Sequence, residues 1–579
     1  MAVEESTYIL GISAYFHDSA AALVKDGKVI VAIQEERLTR KKQDSRLPVK
    51  AAKFCLEQAG ISINEVQKIA YYEKPFQKFE RLLETQISFY PQAFFPFRKT
   101  VKSWLREKLW VPHNIRKELG FKGEFFYAGH HESHAAAACY ASPFNEAAFL
   151  TLDGVGEWAC ASFGTFENNE VKQIAQQNYP HSVGMLYSAF TQYCGFRVNS
   201  GEYKLMGLAP YGTPQYVDLI KDNFVTISDD GSIELNLKYF KFHRGMRMIN
   251  SKFEAVMGKP ALKPEKHIST FYKDVAASIQ EVLEEIVLKT AQHIKDRTGK
   301  EYLCYGGGVA LNCKANQRLM ESGIFEEIFI YSASGDAGGA VGTALLCANQ
   351  DASREIEIVP SYLGKSFGSD EIETALETHK VTYSELDDDS VLEQTAELLN
   401  SGSVVAWFQG RDEMGPRALG NRSILANPSD VEMRDRINEM IKFREQFRPF
   451  APVVMEDQAQ DFFKNVRNAN EMLFTFDAVN AEKIAACVHQ DGSARVQTVN
   501  AHQNKRLYDL LSKFQEKSGV PVLINTSFNR RGEPMVHSPE DALRTFFGSG
   551  LDILVMGNFM VRKEENPDVK IKDVRLELD

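Results

Sequence analysis

With 579 residues, the chain is long enough for two or more domains. Its hydrophobic fraction of 44% and its charged fraction of 25% are typical of a globular protein, and they exclude a disordered, a collagen-like or a small disulfide-stabilised chain. The net charge of −11 argues against bulk binding of nucleic acid but leaves room for a local cationic pocket.

The cysteines and the N-terminus bear on the cellular location. The eight cysteines are scattered and form no CxxC pair, which fits a reducing compartment and argues against a cysteine-ligated zinc site. The first residues lack the basic residues and the long apolar run of a signal peptide. No apolar stretch approaches the ~20 residues that span a bilayer. We therefore expect a cytoplasmic protein with no membrane partner.

Two segments about 140 residues apart each predict a strand, a polar loop and a β-hairpin. Two such units favour a duplicated domain with a cleft between its halves, in which each half offers a loop to the same ligand. Two unrelated hairpins are the alternative. The predicted strands are Tyr8–Ser13, Ala20–Val24 and Val29–Gln34 in the first unit, and Ala148–Leu152, Ala159–Phe166 and Glu170–Ala175 in the second.

A long amphipathic helix is predicted over about residues 271–297. The strand Tyr302–Tyr305 follows, then the glycine triplet Gly306–Gly308 and a helical stretch from about Asn312. A strand, a glycine loop and a helix in this order can present backbone N–H groups to a phosphate. Because the triplet is neither a GxGxxG nor a Walker loop, a tight turn without a ligand is an equal alternative.

A second glycine-rich loop, which contains Asp336, opens an alanine-rich helix. The periodic pattern then lapses across about residues 349–368. We therefore predict a first domain over residues 1–350, a linker over residues 351–368 and a second domain over residues 369–579. The second domain mixes apolar strands with helical stretches and is predicted to be α/β.

The strongest local signal is the motif from His130 to His134, with the sequence HHESH. Its first and last histidines are four residues apart, so on a helix both imidazoles leave the same face. The spacing suits a metal, although the motif is not HExxH. Carboxylates from elsewhere must complete the site, and Asp153 and Asp336 are the candidates because each follows a strand in a polar loop. Iron, manganese or zinc would suit these ligands; histidines that cap and pack a surface helix are the alternative.

His17 lies in the first polar loop. A pKa near neutrality suits a general base or a proton shuttle, but most lone histidines are structural. A charge run follows at Glu35–Lys42, which is typical of a solvated face unless it borders a phosphate site.

A dense set of cations lies between residues 411 and 448, and several of its members are in loops that contain glycine or proline. Arginine holds phosphate in a bidentate fork. The amide and hydroxyl groups of Asn525–Gly532 add further donors. The pattern predicts an anion pocket for a small phosphorylated substrate or a nucleotide, with a structural ion-pair network as the alternative. The cations are Arg411, Arg417, Arg422, Arg434, Arg436, Lys442, Arg444 and Arg448.

Taken together, the motifs resemble those of the O-carbamoyltransferases of antibiotic tailoring and nodulation-factor synthesis. The resemblance runs essentially from end to end. It includes FHDSAAALVKDGKV, EERLTRKK, HHESHAAAA, LTLDGVGE, KLMGLAPYG, GGGVALN, GPRALGNRS, FRPFAP and INTSFNRRGEP.

The resemblance implies an α/β protein with a duplicated actin-like ATPase (ASKHA) domain at the N-terminus, followed by a YrdC-like α/β domain. It implies that carbamoyl phosphate and ATP, the latter with Mg²⁺, react in the second domain to give carbamoyl-AMP, pyrophosphate and phosphate. In the first domain, the carbamoyl group is then expected to pass to a hydroxyl of a small-molecule natural product.

The resemblance also implies roles for individual residues. His17 is expected to act in the transfer itself. The expected metal is Fe²⁺ or another divalent ion, with the ligands His130, His134, Asp153 and Asp336. The nucleotide of carbamoyl-AMP is expected in the first domain at Lys42, Gly184, Gly306, Gly307, Gly308 and Asn312. Carbamoyl phosphate and ATP are expected in the second domain at Arg417, Lys442, Arg448, Arg495 and Asn525.

The acceptor is the part that the resemblance determines least. The members that modify aminoglycosides have a longer, charged loop where Tyr15 stands here, which argues against a polycationic acceptor. Two other interpretations stay open: an enzyme that uses carbamoyl-AMP on a thiol or an amine, and a nucleotide-binding regulator with an actin-like fold and no transfer activity. The presence of His17, the metal set and the arginine loops favours the transferase. The oligomeric state is not predicted.

Overall fold

The structure is a computed structural model that describes residues 6–349, 358–442, 444, 445 and 447–571. The described residues divide into two compact units. One unit contains the residues up to 35 and those from 43 to 360, and the other contains residues 36–42 and those from 361 onward. Residues 36–42 therefore lie outside the unit to which the predicted boundaries assigned them. The predicted linker is described only from residue 358, and residues 361–368 pack with the second unit.

The strands of the first unit are β1 (Tyr8–Ser13), β2 (Ala20–Lys25), β3 (Lys28–Gln34), β4 (Val66–Tyr71), β5 (Glu124–Tyr127), β6 (Ala147–Leu152), β7 (Ala159–Glu167), β8 (Glu170–Asn178), β9 (Val225–Ile227), β10 (Ile233–Leu235), β11 (Tyr302–Gly306) and β12 (Glu327–Phe329). The short helix α1 (Glu35–Thr39) begins in the first unit and ends in the second. The other helices of the first unit are α2 (Val49–Ala59), α3 (Pro75–Ser88), α4 (Phe94–Arg106), α5 (Val111–Leu119), α6 (His130–Ala141), α7 (Val183–Tyr193), α8 (Glu202–Leu208), α9 (Val217–Asn223), α10 (Ser251–Met257), α11 (Thr270–Thr298), α12 (Cys313–Glu321) and α13 (Asp336–Ala348).

The two halves of the first unit repeat one sheet topology. One sheet has the order β3-β2-β1-β4-β5 and the other the corresponding order β8-β7-β6-β11-β12. In each sheet the first three strands form an antiparallel meander, and the next two run parallel to the first. A helix follows the last strand of each sheet, α6 in the first half and α13 in the second. The predicted duplication is confirmed.

Local sequence explains the two hairpins. Asp26 and Gly27 have φ values of 49° and 82°, and Asn168 and Asn169 have φ values of 52° and 61°. Positive φ at both central residues gives the two-residue turn whose twist matches that of antiparallel strands, and Asn, Asp and Gly adopt it most readily. These turns set the register of β2 with β3 and of β7 with β8.

Close packing around α13 joins the two halves. A Cβ atom at Gly342 would lie 2.0 Å from the backbone oxygen of Ser133 in α6, and a Cβ atom at Gly11 in β1 would lie 1.9 Å from the backbone oxygen of Ala340 in α13. Glycine therefore allows α13 to approach α6 and β1 at backbone distance. This approach brings the N-terminal residues of α6 and α13 to the same place.

The second unit has an α/β fold around a sheet with the order β13-β22-β21-β14-β15-β20-β16-β19. Its strands are β13 (Ser384–Glu385), β14 (Val405–Phe408), β15 (Arg422–Ala426), β16 (Ala451–Met455), β17 (Thr475–Asp477), β18 (Ser493–Arg495), β19 (Gln497–Val499), β20 (Val522–Ser527), β21 (Ile553–Met556) and β22 (Phe559–Arg562). Its helices are α14 (Ser369–Thr378), α15 (Asp388–Asn400), α16 (Val431–Ile437), α17 (Ala501–Ser518) and α18 (Pro539–Phe547).

Both faces of this sheet are covered. Along β14, Ala406 and Phe408 belong to one apolar cluster, whereas Val405 and Trp407 belong to another, as the alternation of side chains in a strand requires. Residues of α14, α16 and α18 complete the first cluster, and residues of α15 and α17 complete the second. No helix in the described part of the chain is long and apolar enough to cross a membrane.

The glycine contact between α6 and α13 gives a testable prediction. Gly342→Ala should lower the free energy of unfolding by about 1–3 kcal/mol, because the added methyl group meets backbone that cannot turn away. Chemical denaturation of the purified variant measures this change. Gly207→Ala in α8 is the matched control, since its Cβ atom would meet nothing within 4 Å and alanine favours the helix. A Gly342→Ala protein as stable as the wild type would contradict the packing argument.

Candidate functional site

The two histidines and two aspartates predicted as metal ligands meet in the first unit. His130 and His134 lie on the first turns of α6, Asp336 is the first residue of α13, and Asp153 directly follows β6. Their ligand atoms all lie within 4.8 Å of one another. The four residues, called the His–Asp cluster below, thus combine the equivalent helices of both halves with a loop of the second half.

The distances within the His–Asp cluster are those of ligands that converge on one point. The Nε2 atoms of His130 and His134 are 3.2 Å apart. Asp153 Oδ2 lies 2.9 Å from the first of these nitrogens and 3.5 Å from the second. Asp336 Oδ1 lies 3.7 Å and 3.6 Å from the same two atoms. Two imidazole nitrogens and two carboxylate oxygens form a donor set that suits a divalent transition metal.

Burial makes the charge of the cluster costly without a compensating partner. His130, His134 and Asp336 are nearly inaccessible to solvent. Burial favours the neutral ring of His134, but the neighbouring carboxylates of Asp153 and Asp336 outweigh it and raise its pKa to about 9. Burial alone would raise the pKa of Asp153, yet the hydrogen bonds from the two histidines lower it well below its usual range. Within the described residues, Asp336 Oδ2 has no hydrogen-bond partner. A cation fits this buried group of acceptors.

A second layer of side chains orients α6 and was not found from the sequence. Both carboxylate oxygens of Glu157 accept from the backbone N–H of His130 at 3.1 Å. Glu73 Oε2 lies 3.9 Å from His130 Nδ1 and accepts from the Lys78 ammonium. Outer carboxylates of this kind set the orientation of ligand imidazoles. Glu157 ends the motif LTLDGVGE, whereas Glu73 belongs to no motif, and neither role was predicted because both depend on contacts that form only in the fold.

His17 lies in the loop between β1 and β2, the equivalent of the loop that carries Asp153. Its Nδ1 atom is 3.0 Å from Asp18 Oδ2, and its ring contacts that of Phe16 at a centroid distance of 4.4 Å. Tyr15 and Asp18 have φ values of 70° and 54°, a left-handed backbone that non-glycine residues seldom adopt outside functional loops.

Electrostatics link His17 to the His–Asp cluster. Burial would lower the pKa of His17, but the negative charge of Asp336, followed by Asp18 and Asp153, raises it to about 10. The ring therefore lies within the field of two of the predicted metal ligands. Its protonation depends on how the charge of those aspartates is balanced.

The glycines predicted to hold a nucleotide surround Asp153. The Gly308 N–H lies 3.3 Å from Asp153 Oδ1 and donates to it. Gly307 has a φ of 88°, and a Cβ atom there would lie 2.3 Å from the backbone oxygen of Leu152. A Cβ atom at Gly184 would lie 2.7 Å from the backbone oxygen of Asp153. Gly306 ends β11 beside α6, where a Cβ atom would lie 2.8 Å from a backbone oxygen. Glycine is needed at these positions for the approach of protein backbone.

Asn312 caps α12 and takes part in a buried polar network. Its Oδ1 atom accepts from the backbone N–H of Ala315 at 3.0 Å, and its side chain exchanges two hydrogen bonds with Gln280. Tyr187 donates to the same glutamine at 2.9 Å. Asn312, which the resemblance places at the nucleotide, therefore has a structural role in capping α12 and in this buried network.

In the second unit, the loop that carries Arg417 is held at several backbone atoms. Glu413 Oε1 accepts from the backbone N–H groups of Leu419, Asn421 and Arg422 at 2.8, 2.8 and 3.2 Å. Gln497 Nε2 donates to the backbone oxygen of Leu419 at 2.8 Å. The buried Glu413 has no sequence motif of its own and was not predicted. The loop is thereby immobilised around the guanidinium that it presents.

Asn525 continues this network with a defined orientation. Because Gln497 presents its N–H group to a carbonyl, its Oε1 atom faces Asn525 and accepts from Nδ2 at 2.6 Å. The same Nδ2 atom donates to the backbone oxygen of Ala418 at 3.3 Å. Asn525 is 1% exposed, and its Oδ1 atom has no hydrogen-bond partner in the described part of the chain. The site thus offers a buried acceptor beside the Arg417 loop.

The ammonium of Lys442 contacts Ser527, the last residue of β20. It also donates to the backbone oxygen and the Oδ1 atom of Asn529 at 3.0 and 2.9 Å. Burial, followed by the charges of Arg444, Arg448 and Lys42, lowers the pKa of Lys442 well below its usual range. Lys42 therefore belongs to this cationic group in the second unit, whereas the resemblance placed it in the first domain. Arg495 ends β18, two residues before Gln497.

The other arginines of the predicted cation set have structural contacts. Arg422 is fully buried and donates to the backbone oxygens of Gln409, Gly410, Asn421 and Lys365. Arg411 donates to the backbone oxygens of residues 363 and 364, and Arg434 and Arg436 pair with aspartates. These arginines therefore belong to a structural network, which was the alternative to an anion pocket.

The His–Asp cluster predicts stoichiometric metal binding. Purified protein supplied with Fe²⁺ under anaerobic conditions should retain about one ion per chain, and His130→Ala should lose it. Elemental analysis after desalting measures the content. His131→Ala is the matched control, because its ring bonds to Thr151 and is absent from the cluster. Full metal occupancy in the His130→Ala protein would contradict the assignment of the His–Asp cluster as the metal site.

Comparisons with known proteins agree with the arrangement of two units. A family model described as Carbamoyltransferase N-terminus matches residues 8–345, and one described as Carbamoyltransferase C-terminus matches residues 396–563. The uncharacterized protein sll1178 of Synechocystis sp. is 45% identical over 97% of this chain and 97% of its own length.

Two relatives have more informative names. Nodulation protein NolNO of Sinorhizobium fredii is 37% identical over 95% of this chain and 80% of its own length. The 3'-hydroxymethylcephem-O-carbamoyltransferase of Amycolatopsis lactamdurans is 34% identical over 53% of this chain and 59% of its own length. Since the two family models cover most of the sequence in the expected order, the chain belongs to the carbamoyltransferase family of enzymes.

Proposed function

We propose that the protein is an ATP-dependent O-carbamoyltransferase that acts on a hydroxyl group of a small-molecule natural product. The observation that carries the proposal is the convergence of four donor atoms in the largely buried His–Asp cluster, beside the loop of His17, in a chain of the carbamoyltransferase family. A relative named for O-carbamoyl transfer to a hydroxymethyl group supports the acceptor class.

The second unit would make the activated carbamoyl group. Carbamoyl phosphate is hydrolysed by one water molecule to carbamate and phosphate, and the carbamate oxygen then attacks the α-phosphorus of ATP with loss of pyrophosphate, which yields carbamoyl-AMP. Arg417, Lys442, Arg448 and Arg495 would neutralise the phosphate charge, together with the Mg²⁺ that accompanies ATP. The buried Oδ1 atom of Asn525 would accept from the carbamoyl NH₂ group, which phosphate and acetate analogues lack.

The first unit would carry out the transfer. A divalent metal held by the His–Asp cluster, Fe²⁺ or another, would act as a Lewis acid that polarises the carbamoyl group. The nucleotide of carbamoyl-AMP would bind near Asp153, where Gly184 and the Gly306–Gly308 loop pack closely against protein backbone. His17 would accept the proton of the acceptor hydroxyl. Since a base must be neutral, this role requires the charge of the nearby aspartates to be balanced.

The division into two steps predicts different defects in the two units. Arg417→Ala should reduce pyrophosphate release from ATP and carbamoyl phosphate by about tenfold or more, because a charge-assisted contact to phosphate is lost. The same variant should still consume synthetic carbamoyl-AMP at the wild-type rate. Arg436→Ala, which removes a cation bonded to Asp552 and the backbone of Gly402, is the matched control. Equal loss of both activities in a folded Arg417→Ala protein would contradict the separation.

His17 gives the complementary prediction. His17→Asn keeps a polar side chain but cannot act as a base, so transfer to a hydroxyl acceptor should fall by roughly 10²–10⁴-fold. Pyrophosphate release should persist, because that chemistry is assigned to the second unit. Product formation with a 3'-hydroxymethylcephem measures the transfer, and the amount of bound metal shows that the site is intact. Transfer at the wild-type rate would leave His17 without a catalytic role.

A further inference from the structure

Residues 36–42, called the crossing segment below, pack in the second unit although the chain on both sides of them packs in the first. The sequence suggested a solvated charge run. In the structure, however, Arg37 is 2% exposed, and the side chain of Arg40 is 13% exposed. Burial of a guanidinium group is destabilising unless the group is hydrogen-bonded, so both arginines require nearby acceptors.

Arg37 contacts the loop that carries Arg417. Its Nη2 atom donates to the backbone oxygen of Gly415 at 2.8 Å. Gly415 has a φ of 111°, a conformation that favours glycine and that the contact holds in place. The carbonyl of Gly415 is thus bound by Arg37, while Glu413 binds the N–H groups at the other end of the loop. The crossing segment therefore supports the loop that carries Arg417.

Arg40 contacts the other loop of that site. Its Nη1 and Nη2 atoms donate to the backbone oxygens of Met535 and Pro534 at 2.6 and 2.8 Å. Its Nε atom lies 3.3 Å from Asp541 Oδ1. The planar guanidinium thus directs its two Nη atoms at two adjacent carbonyls while it forms an ion pair with a carboxylate, a geometry that lysine does not reproduce. The turn held in this way also accepts from the side chain of Asn529, through the backbone oxygen of Glu533 at 2.6 Å, and Asn529 accepts from Lys442.

The residues that flank the crossing segment bond to the loop of His17. The Glu35 N–H donates to the backbone oxygen of Ser19 at 2.8 Å, and the Ser19 N–H donates to the backbone oxygen of Asp44 at 3.1 Å. The Tyr15 N–H donates to the backbone oxygen of Ser45 at 2.8 Å. These contacts, all within the first unit, bracket the residue proposed as the base.

We propose that Arg37 and Arg40 are positioning residues of the activation step, and that the crossing segment couples the geometry of the phosphate loops to that of the His17 loop. This inference rests on the proposed function. Neither arginine needs to touch the substrate, because both act through backbone carbonyls of loops that do. A change in the phosphate loops would reach residues 15–19 through the crossing segment and its flanking residues, because Glu35, Asp44 and Ser45 form hydrogen bonds with the His17 loop.

Conservative variants of the full-length enzyme test the positioning role. Arg40→Lys keeps the charge but loses the bonds to two carbonyls, so the KM for carbamoyl phosphate in pyrophosphate release should rise about 10- to 100-fold. Arg37→Lys can still reach the single carbonyl of Gly415 and should retain most of the activity, whereas Arg37→Met should not. Metal content should stay unchanged in all three proteins. Arg436→Lys is the matched control. A wild-type KM in both Arg40→Lys and Arg37→Met would overturn the proposal.

Hydrogen–deuterium exchange tests the coupling without any substrate. Arg40→Lys should speed the exchange of backbone amides in residues 14–19, 415–421 and 533–536, and Arg436→Lys should leave all three regions at the wild-type rate. Faster exchange in the two phosphate loops alone would overturn the coupling, and unchanged exchange everywhere would overturn the positioning as well. Absence of pyrophosphate release in the wild type would instead refute the proposed function, so the two failures are distinguishable.

Discussion

The approach of α13 to α6 at backbone distance is the constraint on which the first unit depends. It is allowed by the absence of a side chain at Gly342, and it brings the first turns of two equivalent helices together. Because those turns carry His130, His134 and Asp336, the same contact that closes the core also assembles the His–Asp cluster. The duplication therefore creates a site that neither half could form alone.

In the second unit, the main constraint acts on the backbone of the loops that are proposed to hold phosphate. Its backbone carbonyls and N–H groups are bound by side chains from several elements, among them Glu413, Gln497 and Asn525. A loop whose backbone groups are already satisfied loses little further conformational entropy when it binds a ligand. In the proposed activation step, preorganisation of this kind would stabilise the charge that develops as the P–O bond of ATP breaks.

The sequence predicted the local features and missed the long-range ones. The hairpin turns at Gly27 and Asn168 follow from residues that adopt positive φ, and the spacing of His130 and His134 follows from the helical repeat. Asp153 and Asp336 were found because each follows a strand at a small-residue loop. Glu413 had no signal, because its role depends on backbone groups that only the folded loop exposes.

Charge patterns were the least reliable guide. Arg422 belongs to the set of cations that predicted an anion pocket, but it is fully buried and bonds to protein carbonyls. The run that contains Arg37 was expected on a solvated face unless it bordered a phosphate site, and its guanidinium is buried as well. In the sequence, an arginine that binds an anionic ligand looks the same as one that binds protein carbonyls. The two can be told apart only from the carbonyls and carboxylates that lie near the guanidinium in the fold. The identity of the metal and of the acceptor stay predictions for the same reason, since both depend on groups outside the chain.

The crossing segment also has a consequence for how such an enzyme can be divided. A cut at the boundary after residue 360 would remove Arg37 and Arg40 from the unit that uses them, so each fragment would be incomplete. The two units are consequently not interchangeable modules, although each has its own core. Recombination with a foreign partner would preserve both folds only if residues 36–42 and the carbonyls they bind were exchanged as a set.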